Sequence, residues 1–456
     1  MSKLINLLLS IIRVIILIEV IHLKKYELLV NDDNLFSTIN DDWLGRNSKI
    51  ISLMKLLNNV NENFIISIDG EWGTGKTFFI KQLIYICNNH SKIDNIKLHK
   101  DYAKIQEFSK KHIVVYYNAW ENDNHDNPLE SLIYNILNEY PKYKNHIENP
   151  KALFESIKPI LENIIEKGSL GYITKDCFEK LKSFEDLADS IVTIEEKQLS
   201  LNKLFNKIIK SDERVLLIVD ELDRCRPDYA VKLLETLKHF YNNSKLSIIV
   251  VTNNRQLSYT IKKYYGNDFD GYGYLNKIYD SVITLGIDNL ENYVKKHCKI
   301  ILSTNLPENI SFELFKHLNF SYRECNKYMS MYKIVEPYTN FKDHFNRNKY
   351  LFEADVLLPM ALALKIKDIN NYNSFISGNA DEIIKSFLVF LEKDNDELDY
   401  IRWLSEILTL NENETLDNAF IREYRKVFTK RTSYDNFPYL EAISMLGNLI
   451  DFNDAK

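Results

Sequence analysis

Cysteine is scarce and unpaired in pattern. The chain has Cys87, Cys177, Cys225, Cys298 and Cys325, an odd number with no C-x-x-C. This excludes a disulfide framework and a cysteine-based metal centre, and reads as free thiols in a reducing compartment. There is no basic excess either. Lys plus Arg is 58 against 64 Asp plus Glu, a net charge of −6, which argues against a protein that coats nucleic acid. With 12 glycines, 9 prolines and 45% hydrophobic residues over 456 positions, the chain is neither collagenous nor disordered. A chain this long buries enough surface to fold without staples.

Uninterrupted apolar runs long enough to span a membrane are also missing. Residues 4–23 are rich in Leu, Ile and Val but carry Asn6, Ser10, Arg13, Glu19 and His22. Arg13 interrupts the apolar region and no small-residue cleavage site follows, which argues against a signal peptide. Three readings stay open for this stretch. It is a helix packed on the body or a partner, an interfacial helix giving peripheral membrane contact, or upstream sequence outside the working protein.

What is present is an alternation of apolar strands and helices. Phe64–Ile68, His112–Tyr117, Val215–Val219 and Leu246–Val251 read as central parallel strands, with Ser281–Leu285 as a fifth candidate. Helical patterns such as Thr77–Cys87 and Tyr229–Tyr241 separate them. This predicts an α/β doubly wound, mostly parallel sheet. About a hundred residues part the second and third strands, too many for a plain loop. The expected organisation is an N-terminal apolar helix over 1–30, an α/β core over 31–290 with a helical insertion over about 123–210, and a helical C-terminal region over 291–456.

Three of the few glycines, Gly70, Gly73 and Gly75, fall in Gly-Glu-Trp-Gly-Thr-Gly-Lys-Thr at 70–77. This fits G-x-x-x-x-G-K-[ST] at every fixed position, with a strand before it and a helix after. Residues without Cβ let successive N–H groups curl around phosphate oxygens. The loop predicts nucleotide contacts from Gly70, Gly73, Thr74, Gly75, Lys76, Thr77 and Phe78. Lys76 is expected on the β- and γ-phosphates and Thr77 on Mg²⁺, at the positive end of a helix.

The strand Val215–Val219 runs into Asp220-Glu221-Leu222-Asp223-Arg224. Asp220 is expected to hold the metal with Thr77, and Glu221 to polarise the attacking water. Asp223 and Arg224 read as a structural pair or a partner contact. Thr252 and Asn253 close the Leu246–Val251 strand, where a short polar side chain orients the lytic water; an Asn-rich turn is the plain alternative. Thr252-Asn253-Asn254-Arg255 lacks a guanine-reading N/T-K-x-D segment, so ATP is the expected nucleotide.

These motifs together resemble the KAP-type P-loop NTPases. The matching stretches are Asp42-Trp43-Leu44-Gly45-Arg46, Gly70–Thr77, Tyr117-Asn118-Ala119-Trp120, Asp220–Pro227 (DELDRCRP), Tyr274–Ile278 and Ser321–Glu324. The resemblance implies an additional-strand ATPase core with a catalytic carboxylate, here Glu221. It implies that Arg46 lies on the nucleotide-base side. It also implies that Arg323, in a helical lid, senses the γ-phosphate; an exposed helix arginine is the alternative. Many relatives carry membrane helices between the second and third strands. Here that segment is charged, so it is expected to be soluble. The acidic residue usual after the fourth strand is replaced by Asn253 or Asn254.

The resulting expectation is a cytoplasmic, Mg²⁺-dependent ATPase working as a conformational or assembly switch in bacterial signalling or phage exclusion. A homo-oligomer or another protein is its expected partner, and membrane association through residues 4–23 stays open. A nucleotide-gated scaffold with little hydrolysis is the second reading. A nucleic-acid-stimulated motor is the third, disfavoured by charge and by the lack of a basic stripe with interleaved aromatics.

Overall fold

The computed structural model describes residues 28–60, 62–125, 128–139, 209, 213–239, 245–298, 306–339, 347–393 and 400–429. The apolar stretch 4–23 and most of the expected insertion lie outside these residues. Two compact units divide the chain. Val30–Asp288 holds a sheet and its helices, and the second contains the described helices from Asn289 onward.

In the first unit, β1 (Phe64–Asp69), β2 (His112–Asn118), β3 (Arg214–Asp220), β4 (Leu246–Thr252) and β5 (Ser281–Thr284) form one sheet in the order β2-β3-β4-β1-β5. Every pairing is parallel. The strand β4 is the additional strand, lying between β1 and the acid-ended β3. Helices α1 (Asp32–Asn40), α2 (Asn47–Asn59), α3 (Lys76–Asn89), α4 (Asp94–Lys97), α5 (Tyr102–Lys111), α6 (Pro128–Glu139), α7 (Pro227–His239), α8 (Asn254–Tyr265) and α9 (Gly271–Asn276) complete it.

β-Branched residues dominate these strands because both faces of the sheet are covered. Along β3, Val215, Leu217 and Val219 pack into one apolar cluster with Leu233, Leu234 and Leu237 of α7. Leu216 and Ile218 face the opposite cluster with Phe79, Ile80 and Leu83 of α3. Each of the first four strands runs one residue further at its C-terminal end than the apolar pattern predicts. The added residues are polar but paired: Asp69 with Thr252, and Asn118 with Asp220. The carboxyl ends of β1, β4, β3 and β2 therefore lie in one row, the edge where open α/β sheets place ligands.

The second unit is helical: α10 (Leu290–Lys296), α11 (Leu306–His317), α12 (Tyr322–Thr339), α13 (Arg347–Phe352), α14 (Leu358–Lys367), α15 (Ile369–Ile376), α16 (Asp381–Lys393), α17 (Tyr400–Ile407) and α18 (Leu416–Thr429). Its aromatics pack closely. Phe315 stacks on Phe320 at 4.9 Å, and the buried Ser311 and Tyr328 hydroxyls lie 2.7 Å apart. Among the described residues no helix is long and apolar enough to cross a membrane.

A π-helical turn, Glu353–Leu357, joins α13 to α14. It carries Glu353 into the core at 4% exposure. Burial pushes the Glu353 carboxyl up to about 7, against the opposing pull of Lys349, and burial pushes Asp355 up to about 7. Between the ordinary carboxylate range and about pH 7, the folded chain keeps protons that the unfolded chain has released. Stability therefore falls as pH rises across that window and levels off above it. In thermal melts, a Glu353→Gln/Asp355→Asn variant is expected to gain on the wild type steadily from pH 5 to pH 7.5. A parallel pH dependence of the two proteins would contradict the assignment.

Candidate functional site

The strand β1 hands over to the loop Gly70–Gly75, and α3 starts at Lys76. The root of the loop is tied to both neighbouring strands. Gly70 N–H donates to Thr252 O at 3.3 Å, Leu285 N–H to Asp69 O at 2.7 Å, and Asn254 N–H to Asp69 Oδ1 at 2.9 Å. Two glycines are required by geometry. A Cβ on Gly70 would stand 2.6 Å from Leu285 O, and Gly75 has φ +80° with Arg46 Nη1 3.1 Å from where its Cβ would be.

Lys76 folds over this loop, its Nζ donating to Gly70 O at 2.5 Å and Glu71 O at 3.1 Å. Burial lowers its pKa, opposed by the charges of Asp223, Asp220 and Asp69. Thr74 Oγ1 donates to Glu71 O at 2.9 Å, and Phe78 is buried. Thr77, in the first turn of α3, brings its hydroxyl to act on Asp220, lowering the Asp220 pKa against the effect of burial.

Asp220 is 1% exposed at the end of β3. Its Oδ2 accepts from Tyr116 Oη at 3.0 Å and its Oδ1 from Glu221 N–H at 2.8 Å. Burial raises its pKa, and the Thr77 and Tyr116 hydroxyls only partly offset that. Glu221 has a left-handed backbone, φ +60° and ψ +28°. Its Oε1 lies 3.0 Å from Arg224 Nη1 and its Oε2 3.5 Å from Asn118 Nδ2. Burial raises the Glu221 pKa as well, against the Arg224 charge.

The structure gathers Lys76, Thr77, Asp220 and Glu221 around one loop and gives the other expected residues contacts of their own. Arg46 is 1% exposed and donates to Gly75 O at 3.0 Å and Thr74 O at 2.6 Å, so its guanidinium is bound to loop carbonyls. Asn253 caps α8, its Oδ1 accepting from Gln256 N–H at 3.1 Å. Next to it, the buried Thr252 hydroxyl has no hydrogen-bond partner among the described residues. Arg323 belongs to the second unit, exposed in the first turn of α12. Asp223 and Arg224 do not pair with each other. Asp223 Oδ2 accepts from Trp72 Nε1 at 2.6 Å, and Arg224 holds Glu221 and lies 5.3 Å over the Trp120 ring.

Sequence reasoning missed Tyr116, Asn118 and Trp72 as site residues. The period-2 alternation of a strand puts Tyr116 and Asn118 on one face, but only the β2–β3 pairing sets that face beside Asp220.

The donor set suits a hard cation. A buried carboxylate and a hydroxyl meet at the mouth of an amide-lined loop, both oxygen donors. Among the described residues there is no group of three or more His, Cys, Asp or Glu that would form an all-protein cage. Magnesium needs none, since it keeps water and phosphate oxygens as ligands.

A sequence model of the KAP family P-loop domain matches residues 46–344, more than half of the chain. The protein therefore belongs to the KAP family of P-loop NTPases and carries that family's nucleotide-binding domain. No curated protein matches the chain at a significant level. Among solved structures, the Walker-type ATPase of Pyrococcus abyssi is 12% identical, with 83% of this chain and 95% of that one covered and a TM-score of 0.31. The Aeropyrum pernix ORC2 protein in ADPNP–ADP complexes is 13% identical, with 93% and 86% covered and a TM-score of 0.29. The ORC1 protein of the same organism in complex with DNA is 11% identical, with 89% and 94% covered and a TM-score of 0.32.

The left-handed backbone at Glu221 makes a stability prediction. A residue with a Cβ is strained there by about 1–2 kcal/mol, which exceeds the usual flexibility penalty of glycine. Glu221→Gly is therefore expected to be more stable than Glu221→Ala by about 1 kcal/mol in urea denaturation. The ordinary order, alanine above glycine, would show that the strain is absent.

Proposed function

We propose that this protein is a Mg²⁺-dependent ATPase in which Glu221 activates water and the nucleotide state drives a conformational or assembly switch. The observation that carries this reading is the buried Asp220 at the end of β3 beside the Lys76 loop, with Thr77 close enough to act on it and Glu221 one residue further on. Lys76 leaves the Gly70 and Glu71 carbonyls to meet the β- and γ-phosphates, and the loop amides take the remaining phosphate oxygens. Thr77 and Asp220 would hold magnesium, which would supply neutralisation of charge on the phosphate oxygens. Glu221 accepts the proton of the attacking water, for which its burial-raised pKa suits it. Thr252 and Asn253 end the neighbouring strand, where a hydroxyl or amide orients that water. Gly73, Thr74, Gly75 and Phe78 shape the cradle.

A second reading, a nucleotide-gated scaffold that barely hydrolyses, is favoured by one observation. Arg224 and Asn118 hold both Glu221 oxygens, which keeps the base engaged.

Wild type and Glu221→Gln are expected to bind ATP alike, with phosphate release slowed about 10²- to 10⁴-fold in the variant. Lys76→Ala is expected to weaken uptake of labelled ATP. Equal phosphate release by wild type and Glu221→Gln would remove Glu221 from its role. Tight binding without turnover in the wild type would favour the scaffold.

A further inference from the structure

We propose that Arg46 is the positioning residue of the phosphate loop, and that Asp288 holds this clamp by balancing its charge. The inference rests on reading Gly70–Thr77 as the nucleotide loop.

The Asp42-Trp43-Leu44-Gly45-Arg46 stretch is built to deliver one side chain. Asp42 (φ +46°) and Gly45 (φ +68°) form a tight turn anchored by buried Trp43 and Leu44. Asp42 Oδ1 accepts from Arg46 N–H at 2.9 Å and Asn47 N–H at 3.0 Å, capping α2. Arg46 is thereby fixed at the head of α2, beneath the loop. Its two terminal nitrogens reach different carbonyls, Nη1 to Gly75 O at 3.0 Å and Nη2 to Thr74 O at 2.6 Å.

A trans peptide points its C=O and N–H in opposite directions. Holding the Thr74 and Gly75 carbonyls on the Arg46 side turns the Gly75 and Lys76 N–H groups to the other side, where a phosphate is bound. Free rotation of those two peptides would instead present carbonyl oxygens to an anion. A guanidinium suits this task because its fork is planar and always charged; a lysine ammonium is a single point donor. Gly75 completes the fit, since a Cβ there would press on Arg46 Nη1.

The buried charge is balanced by Asp288, whose Oδ2 lies 3.6 Å from Arg46 Nε and which also pairs with Lys49 one turn along α2. Asp288 is the last residue of the first unit. The next residue, Asn289, caps α10, its Oδ1 accepting from Asn292 N–H at 3.0 Å. Any change in the loop that shifts the guanidinium therefore acts on Asp288. By reciprocity, a change at Asp288 is felt in the loop.

Amide hydrogen exchange on the nucleotide-free full chain tests this directly. Gly70 and Phe79 are the bonded amides at the two ends of the loop, Phe79 N–H donating to Gly75 O at 2.9 Å. In Arg46→Lys, exchange across residues 70–80 is expected to rise about 10-fold or more, with β3 and β4 unchanged. In Asp288→Asn the same segment is expected to speed up to a smaller extent. With Mg²⁺-ATP, Arg46→Lys is expected to bind about 10- to 100-fold more weakly, the loss of one charged hydrogen bond. Wild-type exchange and affinity in Arg46→Lys would overturn the clamp. Unchanged loop exchange in Asp288→Asn would overturn the role of Asp288 in the clamp. Exchange rising throughout the sheet would mark Arg46 as merely structural. Failure of the wild type to take up ATP would remove the site reading beneath the proposal, whereas the exchange comparison uses no nucleotide and decides the clamp by itself.

Discussion

The juxtaposition of Thr77 and Asp220 is the constraint on which the site depends, and it exists only because of the sheet order. Thr77 belongs to the helix after β1 and Asp220 ends β3, more than a hundred residues later. With β4 between them, the registers Asp69–Thr252 and Asp220–Val251 bring the two strand ends level. A one-residue slip of β3 would turn its whole side-chain set to the other face and remove Asp220 from the loop. The apolar packing of β3 against α7 and α3 therefore fixes the chemistry as well as the core.

Charge at this edge is held in an unrelieved state. Burial raises the pKa of Asp220 and Glu221 and lowers that of Lys76, so each is made less willing to carry its charge. Desolvation of this kind is typical of sites that later receive an ion of compensating charge. Glu221 adds backbone strain through its left-handed conformation, at the residue assigned to activate water. Arg224 and Trp72 hold the flanking acidic turn through Glu221 and Asp223, so the turn and the phosphate loop form one connected surface.

The Asp42–Arg46 turn has a physical role beside the one that the resemblance to KAP proteins implies. The resemblance puts the Leu44-Gly45-Arg46 stretch on the nucleotide-base side. The Arg46 guanidinium lies buried on two backbone carbonyls of the loop. The sequence signal is a short turn motif well upstream of the loop, and a turn motif does not say where its arginine points.

The strands, the phosphate loop and the acidic strand end were legible in the sequence. Each is a local pattern: a β-branched run needs burial on both faces, and a loop of glycines with Lys and Thr serves anions. Glu221 was legible as the residue after Asp220, but its left-handed backbone and its grip by Arg224 and Asn118 were not. Tyr116 and Asn118 entered the site only through the parallel pairing of β2 and β3, because strand adjacency is set by which apolar faces pack together across long separations. Asn253 read as a site residue because it follows a strand, and the fold uses its oxygen to cap α8. The sequence by itself determined which residues can bind a phosphate and a hard cation, since that is a property of side-chain type and short spacing. The tertiary structure alone decided which of them meet, since that follows from strand order and register.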